Sequence, residues 1–149
     1  MPSVRSGDVK ILFRLEKEDE LWPPAEVESV WAEEVCEGIY RILNIPFFVK
    51  GLGFGDEVSA VEVDGELWYR KHIRWHGHRT VRVIIFDEQR VSSVIDELIR
   101  LGCEVERSHL ARLIAVDVPP DVAPEAVVGW LTSQEAKGAI EFEEASVDW

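Results

Sequence analysis

Residues 67–86 hold most of the side chains in this chain that could bind or react with a ligand. The segment contains three of the four histidines, four arginines and one lysine, and it contains no acid. Guanidinium groups bind carboxylates and phosphates through paired hydrogen bonds, and tryptophan rings stack on flat ligands. We name residues 66–82 the basic ridge and predict an anion-binding site there, formed by Trp68, Arg70, His72, Arg74, His76, His78, Arg79 and Arg82.

The alternation of side chains along a strand gives the basic ridge two faces. One face is predicted to be basic with a single aromatic ring, formed by Trp68, Arg70, His72 and Arg74. The opposite face is predicted to be apolar, formed by Leu67, Tyr69, Ile73 and Trp75. Ligand binding is therefore expected on one side of the strand only.

The histidines also allow a metal interpretation, in which a carboxylate joins His76 and either His78 or His72. The neighbouring arginines repel a cation, and no cysteine or acid lies nearby in the sequence. We therefore predict no metal site and no cofactor.

Nucleophilic catalysis lacks its usual sequence pattern. No nucleophile elbow is present at the serines in predicted helix, turn or strand-end positions, which are Ser92, Ser93, Ser108 and Ser133. The glycine-rich residues 51–55 lack the Lys-Ser/Thr pair of a P-loop, so they are interpreted as turn residues. No catalytic residue is predicted, and a histidine acting as general acid or base is the least favoured functional interpretation.

Charge is divided unevenly along the chain. The 149 residues include 29 acidic and 16 basic side chains, which gives a net charge of −13. Residues 67–86 contribute +5, so the rest of the chain carries −18, and nine acids and one base lie in residues 16–37. So acidic a body disfavours general nucleic-acid binding, because affinity for phosphates needs clustered positive charge.

Two functional interpretations follow from this division of charge. In the first, a non-enzymatic binding or regulatory protein uses the basic ridge to bind a small anion or a protein partner. In the second, an acidic interaction protein, similar to an immunity factor, contacts a basic partner through residues 16–37. Pairing of the basic ridge with acids of the same chain is the structural alternative to the first interpretation.

Apolar runs such as residues 81–86 are far shorter than the roughly 20 residues that a membrane helix needs. Residues 1–8 are polar and do not resemble a signal segment. Cys36 and Cys103 are too few and too far apart for a disulfide framework. We therefore expect a cytoplasmic protein with reduced thiols and no membrane partner.

The first half of the chain is predicted to form short strands joined by tight turns. β-Rich runs occupy residues 9–15, 27–35, 38–45, 58–63 and 66–75. Asp64-Gly65 separates the last two runs and favours a type I′ hairpin, because both positions accept positive φ. Five such strands predict a small bent sheet or barrel within residues 1–78.

The second half predicts a β-α-β-β-α-β order, typical of a ferredoxin-like sandwich, over residues 79–149. Residues 80–86 and 110–118 are apolar on both faces, as central strands are, while 103–108 and 139–145 alternate with glutamates, as edge strands do. Two helices cover only one face, so the other must pack on the N-terminal half, a ligand or a second copy in a homodimer. We predict an α+β fold with two subdomains in one compact unit.

Several short motifs occur together along the chain. They are Pro23-Pro24 with Glu26, Glu28 and Trp31, Asn44-Ile45-Pro46-Phe47-Phe48, Gly55-Asp56, Gly77-His78 with Thr80 and Arg82, Leu101-Gly102-Cys103 with Glu106, and Ala115-Val116-Asp117-Val118-Pro119. With these motifs, nearly the whole chain resembles an uncharacterised bacterial family known as domain of unknown function 4265. The resemblance implies the fold boundaries and a bacterial cytosolic setting, and it brings no activity, cofactor or catalytic residue.

The chain departs from the family pattern beside Gly77-His78. Relatives carry small hydroxyl residues on both sides of this pair, where this chain has His76 and Arg79. The departure argues against a catalytic serine in this loop and makes the loop more basic.

Overall fold

The structure is a computed structural model that describes residues 7–146. The first five strands are β1 Val9–Arg14, β2 Val27–Cys36, β3 Ile39–Ile42, β4 Glu57–Val63 and β5 Glu66–Arg74. The remaining elements are β6 Arg79–Ile85, a 3₁₀ turn at Glu88–Arg90, α1 Val91–Arg100, β7 Glu104–Arg107, β8 Leu113–Val118, α2 Pro124–Ala136 and β9 Ile140–Ser146. The predicted mixed α+β class is confirmed. Among residues 7–146, no helix has the length and apolar character needed to cross a membrane.

Strands β1 to β5 form a closed barrel in chain order. Consecutive strands pair antiparallel, and β1 also pairs in parallel with β5 through Ile11↔Leu67 and Leu12↔Trp68, which closes the barrel. The β4–β5 hairpin turns at Asp64-Gly65, where both residues have positive φ. The hairpin predicted from this pair is therefore present.

Strands β6 to β9 form a second sheet in the order β7-β8-β6-β9, and all its pairs are antiparallel. Every residue of the central strand β8 is buried, whereas the edge strands β7 and β9 contain exposed glutamates. The apolar core on one face of the sheet combines Val83 of β6 and Ile114 of β8 with Leu98 of α1 and Leu131 of α2. The predicted difference between central and edge strands is confirmed.

The barrel side of the molecule covers part of the other sheet face. Four polar side chains on this face are almost fully buried: Thr80, Arg82, Asp117 and Ser146. The Thr80 hydroxyl donates to the carbonyl of Leu52 at 2.9 Å, and the Gly51 amide donates to the carbonyl of Ala145 at 2.7 Å. Buried polar groups need partners of this kind, so the junction between barrel and sheet contains the polar residues of greatest interest.

Candidate functional site

Arg82 lies in the middle of β6 and projects from the sheet towards the barrel side. Its side chain is only 4% exposed, although it carries a full charge. Nη1 donates to the carbonyl of Phe47 at 2.9 Å, and Nη2 lies 3.3 Å from Oε2 of Glu143, the residue directly opposite on β9. Arg82 is thus the one predicted ridge residue that is almost fully buried.

One edge of the Arg82 guanidinium is unsatisfied. Among the residues that the structure describes, Nε and Nη2 have no hydrogen-bond partner, and neither is in contact with solvent. These two nitrogens carry the parallel N–H groups of the guanidinium fork, which match the two oxygens of a carboxylate. An unsatisfied buried donor destabilises a protein by about 1–3 kcal/mol, and more for a charged group. An acceptor from a ligand would remove this cost.

Glu28 of β2 positions the loop that contacts Arg82. Its carboxylate accepts three backbone hydrogen bonds, from the amides of Phe47 at 2.6 Å, Phe48 at 2.9 Å and Val49 at 3.0 Å. These bonds hold the Phe47 carbonyl towards Nη1 of Arg82. This role of Glu28 could not be predicted from local sequence, because Glu28 and the loop are about 20 residues apart and share no local pattern.

A cavity of about 350 Å³ lies beside Arg82, within the ~300–1,000 Å³ range of small-molecule sites. Four aromatic rings line it: Phe13 of β1, Tyr69 of β5, Trp22 and Phe48. The Phe13 and Tyr69 rings stack at 4.8 Å between centroids, and the Trp22 and Phe48 rings meet edge to face at 5.5 Å. We name this space the aromatic compartment.

A second cavity of about 380 Å³ adjoins the first and shares Glu18, Trp22 and Arg82 with it. Ile84 of β6 and Leu113 of β8 contribute apolar surface. Carboxylates surround that surface, from Glu18, Glu135, Glu141 and Glu143. We name this space the acidic compartment. Arg82 therefore lies where an aromatic space and an acidic space meet.

Lys50 links the acids near Arg82. Its Nζ donates to Glu18, and it lies 3.2 Å from Oε1 of Glu143. The hydrogen bond to Glu18, followed by that to Glu143, raises the pKa of Lys50. One lysine and two glutamates thus form an exposed ion-pair network beside the buried guanidinium.

The three histidines of the basic ridge pair with carboxylates of the same chain. His72 Nε2 lies 2.8 Å from Oδ2 of Asp56, and His78 Nδ1 lies 2.9 Å from Oδ1 of Asp117. His76 Nε2 lies 2.9 Å from Oε2 of Glu57. Internal pairing, the structural alternative raised from the sequence, therefore holds for these histidines.

Asp56 is the most completely satisfied charge at the junction. It is 0% exposed, and besides His72 it accepts from the amides of Gly53 at 2.9 Å and His76 at 3.1 Å. The absence of a side chain at Gly53 lets this turn lie close to the backbone of His78, because a Cβ at residue 53 would lie 2.7 Å from the carbonyl oxygen of His78. These contacts join the barrel turn to the segment that leads into β6.

The His78–Asp117 pair has perturbed protonation. The hydrogen bond to Asp117 raises the pKa of His78 above its usual 6.5. Burial raises the pKa of Asp117, against the opposing effect of the bond to His78. For Glu57, the hydrogen bond from His76 lowers the pKa, and Arg41 contributes in the same direction.

The predicted alternation along β5 is wrong. Lys71 pairs with Ser59 and Tyr69 with Ala60, so Arg70 is an extra residue in a β-bulge. A second bulge makes Ile73 an extra residue between the pairs of His72 with Val58 and Arg74 with Glu57. After each bulge, the alternation of side chains between the two faces of the strand is shifted by one residue. His72 consequently faces the same side as buried Val58, while Trp68, Lys71 and Arg74 share the outer side.

The other predicted site residues do not line the Arg82 cavities. Arg70 and Arg74 are exposed, and the Trp68 ring contacts the guanidinium of Arg14 at 4.8 Å. Arg79 begins β6, half-buried, opposite Val118. The structure therefore separates the basic ridge into an exposed outer face, a histidine–carboxylate network and buried Arg82.

The acidic residues 16–37 also contact their own chain at several points. Besides the bonds of Glu18 and Glu28 already described, Glu33 forms an ion pair with Arg41 at 3.3 Å.

Within residues 7–146, no three His, Cys, Asp or Glu side chains are arranged as a metal site. The free thiols of the described chain are exposed Cys36 and buried Cys103, and burial raises the pKa of Cys103 to about 11.

The fold and the site together define an α+β protein in which a closed barrel and a helix-backed sheet enclose a cleft around one buried arginine. The chain belongs to the family described as domain of unknown function (DUF4265), whose sequence model matches residues 28–142. The family resemblance seen in the sequence is thus confirmed.

The same fold occurs in a solved structure of a hypothetical protein from Neisseria gonorrhoeae. The two chains are 17% identical, the TM-score is 0.76, and the match covers 99% of each chain. At this identity the likeness shows the fold alone. No curated protein matches the chain.

Proposed function

We propose that this protein binds a small organic carboxylate, without catalysing a reaction, in the cleft between the barrel and the sheet. The single observation that carries the proposal is the buried Arg82 guanidinium with Nε and Nη2 unsatisfied. A carboxylate that accepts from both nitrogens would satisfy them with charge-assisted hydrogen bonds. The four rings of the aromatic compartment would hold the apolar body of the ligand.

The ligand reaches the guanidinium edge by displacing a covering side chain. Glu143, 3.3 Å from Nη2, is 40% exposed and can move aside from the guanidinium edge while it stays at the mouth of the cleft. Phe47 holds Nη1 from the opposite side through its carbonyl, so the fork keeps its orientation while Glu143 moves. Of the eight predicted site residues, the proposal thus keeps Arg82 alone and adds residues that were not predicted to bind the anion.

The finer features predicted from the sequence belong to the same proposal. We place the protein in a bacterial cytoplasm, describe residues 79–149 as a ferredoxin-like subdomain after a barrel in residues 1–78, and regard the two as one compact unit. Contacts of a protein partner with the outer face of the basic ridge or with residues 16–37, and a homodimer, stay predictions. As predicted from the sequence, the proposal includes neither general nucleic-acid binding nor membrane binding.

The test compares two ligands of nearly the same shape, one with a carboxylate and one with a neutral amide in its place. Titration calorimetry with 3-phenylpropionate and its neutral amide is expected to show at least about tenfold tighter binding of the carboxylate, because a charge-assisted pair to a buried guanidinium is strong. Arg82→Met should abolish that preference, whereas Arg70→Met, at an exposed position outside both cavities, should leave it unchanged.

A second measurement is independent of how well the Arg82 variant folds. In the unmodified protein, NMR signals of the Arg82 Nε–H group and the Trp22 indole should shift when 3-phenylpropionate is added. If the carboxylate and the amide bind equally, or neither signal moves, the guanidinium edge has a structural role and the proposal is overturned.

A further inference from the structure

The surroundings of Arg82 do not suit a simple anion. Glu143 lies 3.3 Å from Nη2, and Glu18 belongs to both compartments. A carboxylate bound at the guanidinium edge would therefore lie beside the Glu143 carboxylate, and these two like charges repel each other unless a positive charge lies next to both. The site favours a ligand that brings a positive charge as well.

Two side chains of the protein occupy the positions that such a ligand would need. The Glu143 carboxylate lies beside the Arg82 fork, where the carboxylate of a ligand would bind. The Lys50 ammonium lies 3.2 Å from Glu143, where the ammonium of a ligand would bind. Opposite charges thus already alternate along the cleft in the order Arg82, Glu143 and Lys50, at ion-pair distances of 3.3 and 3.2 Å.

We infer that the ligand is an α-amino acid with an aromatic or large apolar side chain. This inference rests on the proposed function and names the ligand class of the same site. The carboxylate binds Nε and Nη2 of Arg82, the ammonium binds Glu143 in place of Lys50, and the side chain enters the aromatic compartment. Binding exchanges the internal ion pairs for equivalent pairs with the ligand, so no buried charge is left without a partner.

The spacing of the two charged groups favours an α-amino acid over a longer amino acid. In an α-amino acid one carbon separates the ammonium nitrogen from the carboxyl carbon, so these atoms are about 2.5 Å apart. The Arg82 Nη2 and Glu143 Oε2 atoms are likewise adjacent, at 3.3 Å. A ligand with a longer chain between its charges would have to fold back on itself to reach both groups.

The experiment compares three ligands with the same ring. Titration calorimetry is performed with L-phenylalanine, with 3-phenylpropionate, which lacks the ammonium group, and with 2-phenylethylamine, which lacks the carboxylate. L-Phenylalanine should bind most tightly, and each of the other two should bind at least about tenfold more weakly, because each lacks one charge-assisted contact.

Glu143→Gln tests the residue assigned to the ammonium. This variant should lose the preference for L-phenylalanine over 3-phenylpropionate, and it should still bind 3-phenylpropionate. The matched control is Glu144→Gln, a neighbouring exposed glutamate that lines neither cavity and should keep the full preference. Circular dichroism and thermal unfolding show whether both variants are folded.

The outcomes separate the inference from the proposed function. If 3-phenylpropionate binds as tightly as L-phenylalanine, the amino acid inference is overturned and carboxylate binding at Arg82 stands. If folded Glu143→Gln keeps the preference, the assignment of Glu143 is overturned. If none of the three ligands binds the unmodified protein, both the inference and the proposed function are overturned.

Discussion

Two buried polar sites lie between the barrel and the sheet, and they differ in how far their charges are satisfied. At the first, Asp56 accepts three hydrogen bonds and Asp117 is bonded to His78. At the second, Arg82 is equally buried, yet two of its three nitrogens lack a hydrogen-bond partner among the described residues. A satisfied buried charge holds the structure together, whereas an unsatisfied one beside a cavity is suited to a ligand.

The difference has a consequence for stability, because removing one member of a satisfied buried pair leaves its partners unsatisfied. Three substitutions and one change of pH test this comparison of the two sites, beginning with the largest expected effect.

Replacement of Asp56 by alanine should lower the free energy of unfolding by about 3–5 kcal/mol, because two backbone amides and His72 lose their buried acceptor. Urea unfolding measures the change. The control is Asp96→Ala, an exposed aspartate of α1, which should change stability by less than about 0.5 kcal/mol. Equal effects of the two substitutions would show that the Asp56 network does not stabilise the junction.

Replacement of Gly53 by alanine should cost about 1–3 kcal/mol, because the new Cβ would lie 2.7 Å from the backbone oxygen of His78 and push the turn away. Gly129→Ala in α2 is the matched control. That position has open space around it, so alanine should stabilise the helix by up to about 1 kcal/mol. Thermal or urea unfolding of both variants gives the contrast, and a neutral Gly53→Ala would contradict the close approach.

Replacement of Arg82 by methionine should cost only about 1 kcal/mol, mainly from the lost hydrogen bond to the Phe47 carbonyl. Methionine fills similar space, and the half-exposed Glu143 can be solvated once its partner is gone. The free energy of unfolding measured in urea should therefore be clearly larger for Arg82→Met than for Asp56→Ala. A loss as large as that of Asp56→Ala would remove the distinction between the two sites.

The smallest effect concerns pH. The folded-state pKa of His78 is raised above the unfolded value near 6.5, so folding binds the proton more tightly. The resulting stability is fully present below about pH 6.5 and is lost as the pH rises through the folded-state pKa. Unfolding free energies measured from pH 6 to 9 should fall more steeply for the unmodified protein than for His78→Gln. Parallel curves would exclude this contribution.

Much of the fold could be predicted from local patterns. The Asp64-Gly65 hairpin follows from the positive φ of both residues, and the apolar faces of β6 and β8 mark them as central strands. The two bulges of β5 could not be predicted, because they depend on pairing with β4 and leave no pattern in the strand itself. That is why the assignment of His72 to the basic face is wrong.

Of the residues that form the candidate site, only Arg82 was predicted from the sequence. Charge and residue type pointed to Arg82, but its burial depends on the packing of the barrel side on the sheet, which acts over long sequence distances. The partner carboxylates of the histidines lie 16 to 39 residues away in the chain, so their pairing could not be predicted from local sequence. The rings of Trp22 and Phe48 reach the cleft from separate loops.

The short parallel pairing of β1 with β5 relates the stability of the barrel to the binding of the proposed ligand. The register ends at Leu12↔Trp68, and the next residues, Phe13 and Tyr69, stack their rings where the aromatic compartment begins. The seam of the cylinder and the wall of the cleft are therefore the same two rings. A ligand that packs against these rings would stabilise the closed barrel, and opening of the barrel at this seam would weaken ligand binding to the same extent.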